Sequence, residues 1–189
     1  MKSNSRYYNT LTEEVVELSD SKSWDYAVLE WEIFDCEEDE DLMSSCICGK
    51  ENLRYLFTIR NTRNGNLLFP IGSSCIRKFE RPDLNENVTI MEQLFKLLHA
   101  FESNAFITLS GEFFSRKLLH YFYEEGVFKA TAYNRYSPEN DYTFLLQMFN
   151  KQDKSTISLA QKKKINALIM SSIRPFLRKL LQDKVRSKK

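Results

Sequence analysis

Three cysteines carry the clearest chemistry in the chain. Cys46 and Cys48 are separated by one residue and followed by Gly49, and Cys75 comes after the polar stretch Gly72-Ser73-Ser74. Thiolates suit structural zinc, which takes four donors in a tetrahedron. Two cysteines closed by glycine make a knuckle, because glycine lets the chain turn sharply and aim backbone N–H groups at the sulfurs. A cysteine at a helix start is helped toward the thiolate by the helix dipole. The expected cofactor is therefore structural Zn2+ held by Cys46, Cys48, Cys75 and a fourth ligand. Cys36 is the first choice for that position, being the other cysteine, placed after a strand and near the knuckle. Glu37, Glu38 or Asp39 could substitute, whereas His99 and His120 fall in helical stretches and read as packing residues. A four-thiolate site is closed and leaves no position for a catalytic water.

The elements around these cysteines follow from local pattern. Tyr26 to Phe34 alternates apolar and acidic residues and reads as a strand. The acids Glu37-Glu38-Asp39-Glu40-Asp41 repel one another and read as an exposed loop. Tyr55 to Ile59 is strand-like, Asn64-Gly65 signals a hairpin turn, and Leu67 to Ile71 is the return strand, with Pro70 placing it at an edge. A short helix is expected from Cys75 to Phe79, ending before Pro82.

Near the N-terminus, Thr10 or Thr12 could cap a helix through Glu13–Leu18. Beyond Pro82 the chain reads as mainly helical. Met91, Leu94, Phe95, Leu98 and Phe101 form one apolar stripe, and Phe106 to Leu109 could be a short strand. Ser115 is a cap for a helix stopped by Gly126, and Ser137-Pro138 opens another. A last stripe from Ile165 to Leu181 runs past Pro175, giving two consecutive helices or one kinked helix. The expected fold class is α+β: a zinc module over residues 1–82, then a helical domain over residues 83–189 with basic C-terminal helices. No apolar run spans a bilayer and Met1–Ser5 leads into polar sequence, so a cytoplasmic protein without a membrane partner is expected.

The net charge of +1 hides a polarity: residues 151–189 carry +10 and residues 1–150 carry −9. Lys162, Lys163, Lys164, Arg174, Arg178 and Lys179 in the basic segment, with Arg60, Arg63, Arg77 and Lys78 around the hairpin, are candidate phosphate contacts. Tyr133, Tyr136 and Tyr142 could stack on unpaired bases. DNA, RNA or a host nucleoprotein complex is the partner these residues suggest. Glu30, Glu32 and Asp35 could bind Mg2+ in a nuclease, but the companion acid-x-Lys pattern is missing. There is no phosphate-binding Gly-rich loop and no Ser/His/Asp set. A non-enzymatic protein is expected, with metal-dependent nuclease as a distant alternative.

The order knuckle, hairpin, ligand-bearing helix resembles a treble clef. It departs from that pattern in having one residue between the first cysteines and one ligand on the helix. Together with Ile59-Arg60-Asn61, the turn Asn64-Gly65-Asn66, the stretch Gly72 to Phe79 and Glu30-Trp31-Glu32, the motif resembles small zinc-binding accessory proteins of phages and mobile elements. The resemblance covers about residues 26–80. It implies zinc binding and a phage-like setting in which small proteins engage nucleic acid or, as anti-CRISPR inhibitors do, bind a host defence protein directly.

Overall fold

The computed structural model describes residues 6–186 and is mixed α+β. The chain forms two compact units, one made of the residues up to Met91 together with the segment from Asp183, the other of Glu92–Gln182.

The first unit opens with α1 (Arg6–Glu17), which buries Leu11 and Val15. This helix starts a turn earlier than expected. Thr10 and Thr12 do not cap it: their hydroxyls donate to the carbonyls of Arg6 (3.1 Å) and Tyr8 (2.9 Å) one turn back. Helix α2 (Trp24–Ala27) and a 3-10 turn (Val28–Glu30) occupy the stretch whose alternation suggested a strand. The strand β1 (Trp31–Asp39) begins only at Trp31, whose indole N–H donates to Ser19 Oγ at 2.8 Å.

β1 pairs antiparallel with β2 (Tyr55–Asn61), which pairs antiparallel with the edge strand β3 (Leu67–Ile71). The hairpin and its edge proline match the expectation. The acid run matches only at Glu40 and Asp41, which form an exposed turn. Glu37, Glu38 and Asp39 belong to β1, and Glu38 is fully buried. Strand β4 (Val185–Arg186) from the far end of the chain pairs parallel with β1, giving the order β3-β2-β1-β4. Lys184 pairs with Asp35, Arg186 with Glu37, and Arg54 with Glu38 at 3.4 Å. The repulsion that argued for a loop is cancelled by basic residues distant in sequence, including two from the C-terminal segment.

Helix α3 (Ser73–Ile76) and the 3-10 turn Arg77–Phe79 follow β3. Helix α4 (Pro82–Glu102) carries the boundary between the units. In the second unit, α5 (Arg116–Glu124) is capped by Ser115, whose Oγ accepts from the Leu118 N–H at 3.1 Å. Gly126 stops the chain there with a φ of +64°. Phe106–Leu109 forms no strand, and Phe106 is 88% exposed. Helix α6 (Pro138–Asn150) and α7 (Leu159–Leu168) precede a π-helical turn (Ile169–Ile173) and α8 (Arg174–Leu181). Ile165, Ile169, Ile173, Leu177 and Leu181 stay buried along this whole run. The stripe therefore passes Pro175, whose missing N–H falls in the first turn of α8.

Among the described residues, no helix is long and apolar enough to cross a membrane.

Candidate metal centre

The three sulfurs that sequence spacing singled out come together. Cys46 Sγ lies 3.6 Å from Cys75 Sγ, which lies 3.4 Å from Cys48 Sγ, and all three thiols are buried. Sulfurs bound to one tetrahedral zinc at about 2.3 Å are about 3.8 Å apart, so the trio has the size of a zinc face.

Local structure explains the convergence. At the end of β1, the Asp39 carboxylate accepts from the N–H groups of Asp41 (3.1 Å), Met43 (3.0 Å) and Ser44 (2.9 Å) and from the Ser44 hydroxyl (2.7 Å). The Ser44 hydroxyl is the chief cause holding the Asp39 carboxyl below its ordinary range, against the opposing effect of burial. This wraps the loop toward the knuckle. There the Cys46 N–H donates to Lys50 O (2.8 Å) and the Gly49 N–H to Cys46 O (2.7 Å), with Gly49 at a φ of +91° that disfavours a side chain. The Ile47 N–H donates to Pro70 O (2.9 Å), stitching the knuckle to β3. Gly72 then brings in Cys75; a Cβ there would stand 2.9 Å from Leu53 Cδ2, and its N–H donates to Cys46 Sγ at 3.4 Å.

The electrostatics suit a cation. Hydrogen bonding from Cys75 pushes the Cys46 thiol down, outweighing burial and helped by the N–H groups of Cys48 and Gly72. The same contact, with burial adding, pushes Cys75 up. One sulfur readily carries charge, whereas three adjacent thiolates need a positive ion among them. Among the described residues this trio is the group of His, Cys, Asp and Glu side chains that could hold a metal, zinc being suited to it.

Cys36 is not part of that group. It sits in β1 opposite Phe57, with its sulfur 3.8 Å from Glu37 O, because β1 runs on past it and carries the chain away before the knuckle begins. The alternative ligands are engaged elsewhere, Glu37 with Arg186, Glu38 with Arg54 and Asp39 with its loop. His99 and His120 lie 3.5 and 3.9 Å from Glu102 and Glu124 on their own helices.

The three acids considered for Mg2+ have separate partners. Glu30 accepts from the N–H groups of Asp20 and Ser21 (2.9 Å each), Asn61 Nδ2 (2.8 Å) and Arg63 (3.4 Å). Glu32 pairs with Arg60 at 2.5 Å, and Asp35 with Lys184.

The candidate phosphate contacts divide into engaged and exposed groups. Arg60 and Arg63 hold Glu32 and Glu30, Arg77 reaches Thr89 Oγ1 at 3.4 Å, and Lys78 lies over the Tyr8 ring. Lys164 pairs with Asp141 at 2.8 Å, and the Arg174 guanidinium lies over Phe101. Lys162, Lys163, Arg178 and Lys179 are exposed. Tyr133 and Tyr136 are 95% and 74% exposed, while Tyr142 stacks on Tyr123 with centroids 5.0 Å apart.

One feature had no signal in the sequence. A hollow of about 220 Å³ in the second unit is lined by Phe101, Asn104, Phe106, Asn166 and Arg174. Compared with known proteins, the chain matches no family model, no curated protein and no solved structure.

Proposed function

We propose that this is a non-enzymatic, zinc-stapled binding protein of the phage or mobile-element accessory kind, and that it binds nucleic acid, alone or within a nucleoprotein complex. In this reading the zinc is structural, and the knuckle, hairpin and helix start form a treble-clef variant with a shortened knuckle. Its carrying observation is the set of exposed cations Lys162, Lys163, Arg178 and Lys179, none of which, among the described residues, pairs with a carboxylate. Unpaired lysines and arginines on helices contact phosphate without first breaking an internal ion pair. Exposed Phe106, beside the amides of Asn104 and Asn166 and the guanidinium of Arg174, adds a surface on which an unpaired base could stack.

Fluorescence anisotropy with labelled single-stranded and duplex DNA and RNA, across a salt series, tests the reading. Binding that weakens with salt and falls at least tenfold when Lys162, Lys163, Arg178 and Lys179 are all changed to Ala is the expected result. Salt-insensitive binding, or none, rejects it. Capture of a host protein after nuclease treatment, without nucleic-acid binding, would instead support a direct inhibitor of the anti-CRISPR kind.

A further inference from the structure

A tetrahedral zinc needs four donors, and among the described residues the converging side chains supply three. Cys36 is directed elsewhere in β1, and Glu37, Glu38 and Asp39 are committed to Arg186, Arg54 and the 41–44 loop. Against the knuckle lies a cavity of about 280 Å³, lined by Arg6, Tyr7, Thr10, Ile47, Cys48 and Gly49. One metal-binding residue, Cys48, thus forms part of a wall. The Tyr7 ring packs over the turn, 3.8 Å from where a Cβ on Gly49 would stand. The space accommodates water and a small organic molecule, and Arg6, Tyr7 and Thr10 are the polar residues of its lining.

We propose that the metal held by Cys46, Cys48 and Cys75 completes its coordination with a small exogenous donor that enters through this cavity. That donor is water, exchangeable for a low-molecular-weight thiolate. The inference rests on the zinc reading above and changes its character, from a closed staple to a site with one exchangeable position. Zinc with three thiolates carries a charge of −1, which disfavours a fourth anion, and Arg6 is the cation on the cavity wall that offsets it. In the exchange a metal–sulfur bond forms, the metal–water bond breaks, and the thiol proton passes to buffer. No oxidation is involved.

The test uses the full chain loaded with Co2+, whose visible bands report ligand type and number, titrated with 2-mercaptoethanol. The starting protein should show three-thiolate charge-transfer intensity. Saturating thiol should raise it by roughly one third, since a fourth thiolate joins three. Cys36→Ala should leave both spectra unchanged, and Arg6→Ala should weaken apparent thiol affinity about three- to tenfold. Four-thiolate intensity from the outset, or a tetrahedral spectrum indifferent to thiol, means the protein supplies all four donors and overturns the inference. A thiol response unmoved by Arg6→Ala overturns the assignment to this cavity. Failure to bind Co2+ or Zn2+ at all sinks the zinc reading itself, a separate outcome.

Discussion

Glu30 shows how a single residue is decided by its surroundings. Burial alone would raise its pKa, but hydrogen bonds from Ser21, Asn61 and Asp20 outweigh that and hold it at about 2, against 4.5 ordinarily. A depressed carboxyl pKa gives stability that is fully present above the unfolded value, and lost as pH falls through the folded one. Glu30→Gln should therefore destabilise the first unit at neutral pH by roughly 1–3 kcal/mol. It should also flatten the loss of stability between pH 4.5 and about 2, read from denaturant midpoints across pH. The cysteines make a sharper contrast. Replacing Cys46, Cys48 or Cys75 with Ser should abolish stoichiometric zinc and lower Tm, whereas Cys36→Ala should keep the metal, as measured by elemental analysis and thermal unfolding. A chelator should reproduce the effect of the first three changes.

At the scale of elements, β1 is held from both sides by chain distant in sequence. On its outer edge the Glu38 N–H donates to Lys184 O (2.7 Å) and the Glu40 N–H to Arg186 O (3.0 Å). An uncovered edge strand is a template for pairing with other chains, and β4 covers this one while neutralising its acids. Ending the chain after Gln182 should speed amide hydrogen exchange at Glu38 and Glu40 by at least tenfold and promote concentration-dependent self-association. Exchange mass spectrometry and sedimentation would read both. Lys184→Ala with Arg186→Ala should fall between that truncation and the parent, because these half-buried ion pairs contribute only about 1 kcal/mol each while the backbone bonds remain. The π-helical turn is a second device of this scale. It precedes α8, and the buried stripe continues unbroken through Ile169, Ile173 and Leu177.

Across the whole molecule, the sequence polarity of −9 against +10 overstates the charge on offer. Lys184 and Arg186 sit on Asp35 and Glu37, and Lys164 sits on Asp141. Four exposed cations without acid partners remain in the candidate set: Lys162, Lys163, Arg178 and Lys179. If these provide the phosphate contacts, log K against log salt should have a slope of about −3.6 on duplex and about −2.8 on single strands. A duplex slope near −5.4 would mean that Lys184 and Arg186 of the C-terminal strand leave their acids to join the interface, making six contacts. Salt titrations of the parent and of Lys184→Ala separate these cases, since that variant should leave the shallow slope unchanged.

The chain announced its thiolate trio, its hairpin with an edge proline, the Ser115 cap and the Gly126 stop, because each depends on residues close in sequence. It could not announce the fate of Cys36 or of the acid run. Both hinge on how far β1 extends, and that is set by pairing with β2 and with a strand nearly 150 residues later. The alternation through Tyr26–Phe34 misled for the same reason: an amphipathic stretch becomes strand only where a partner takes up its hydrogen bonds, and pairing starts at Trp31. Local chemistry decided which sulfurs can share a metal. Tertiary pairing decided which acids find basic partners, which cations stay exposed and that Cys36 lies apart from the trio.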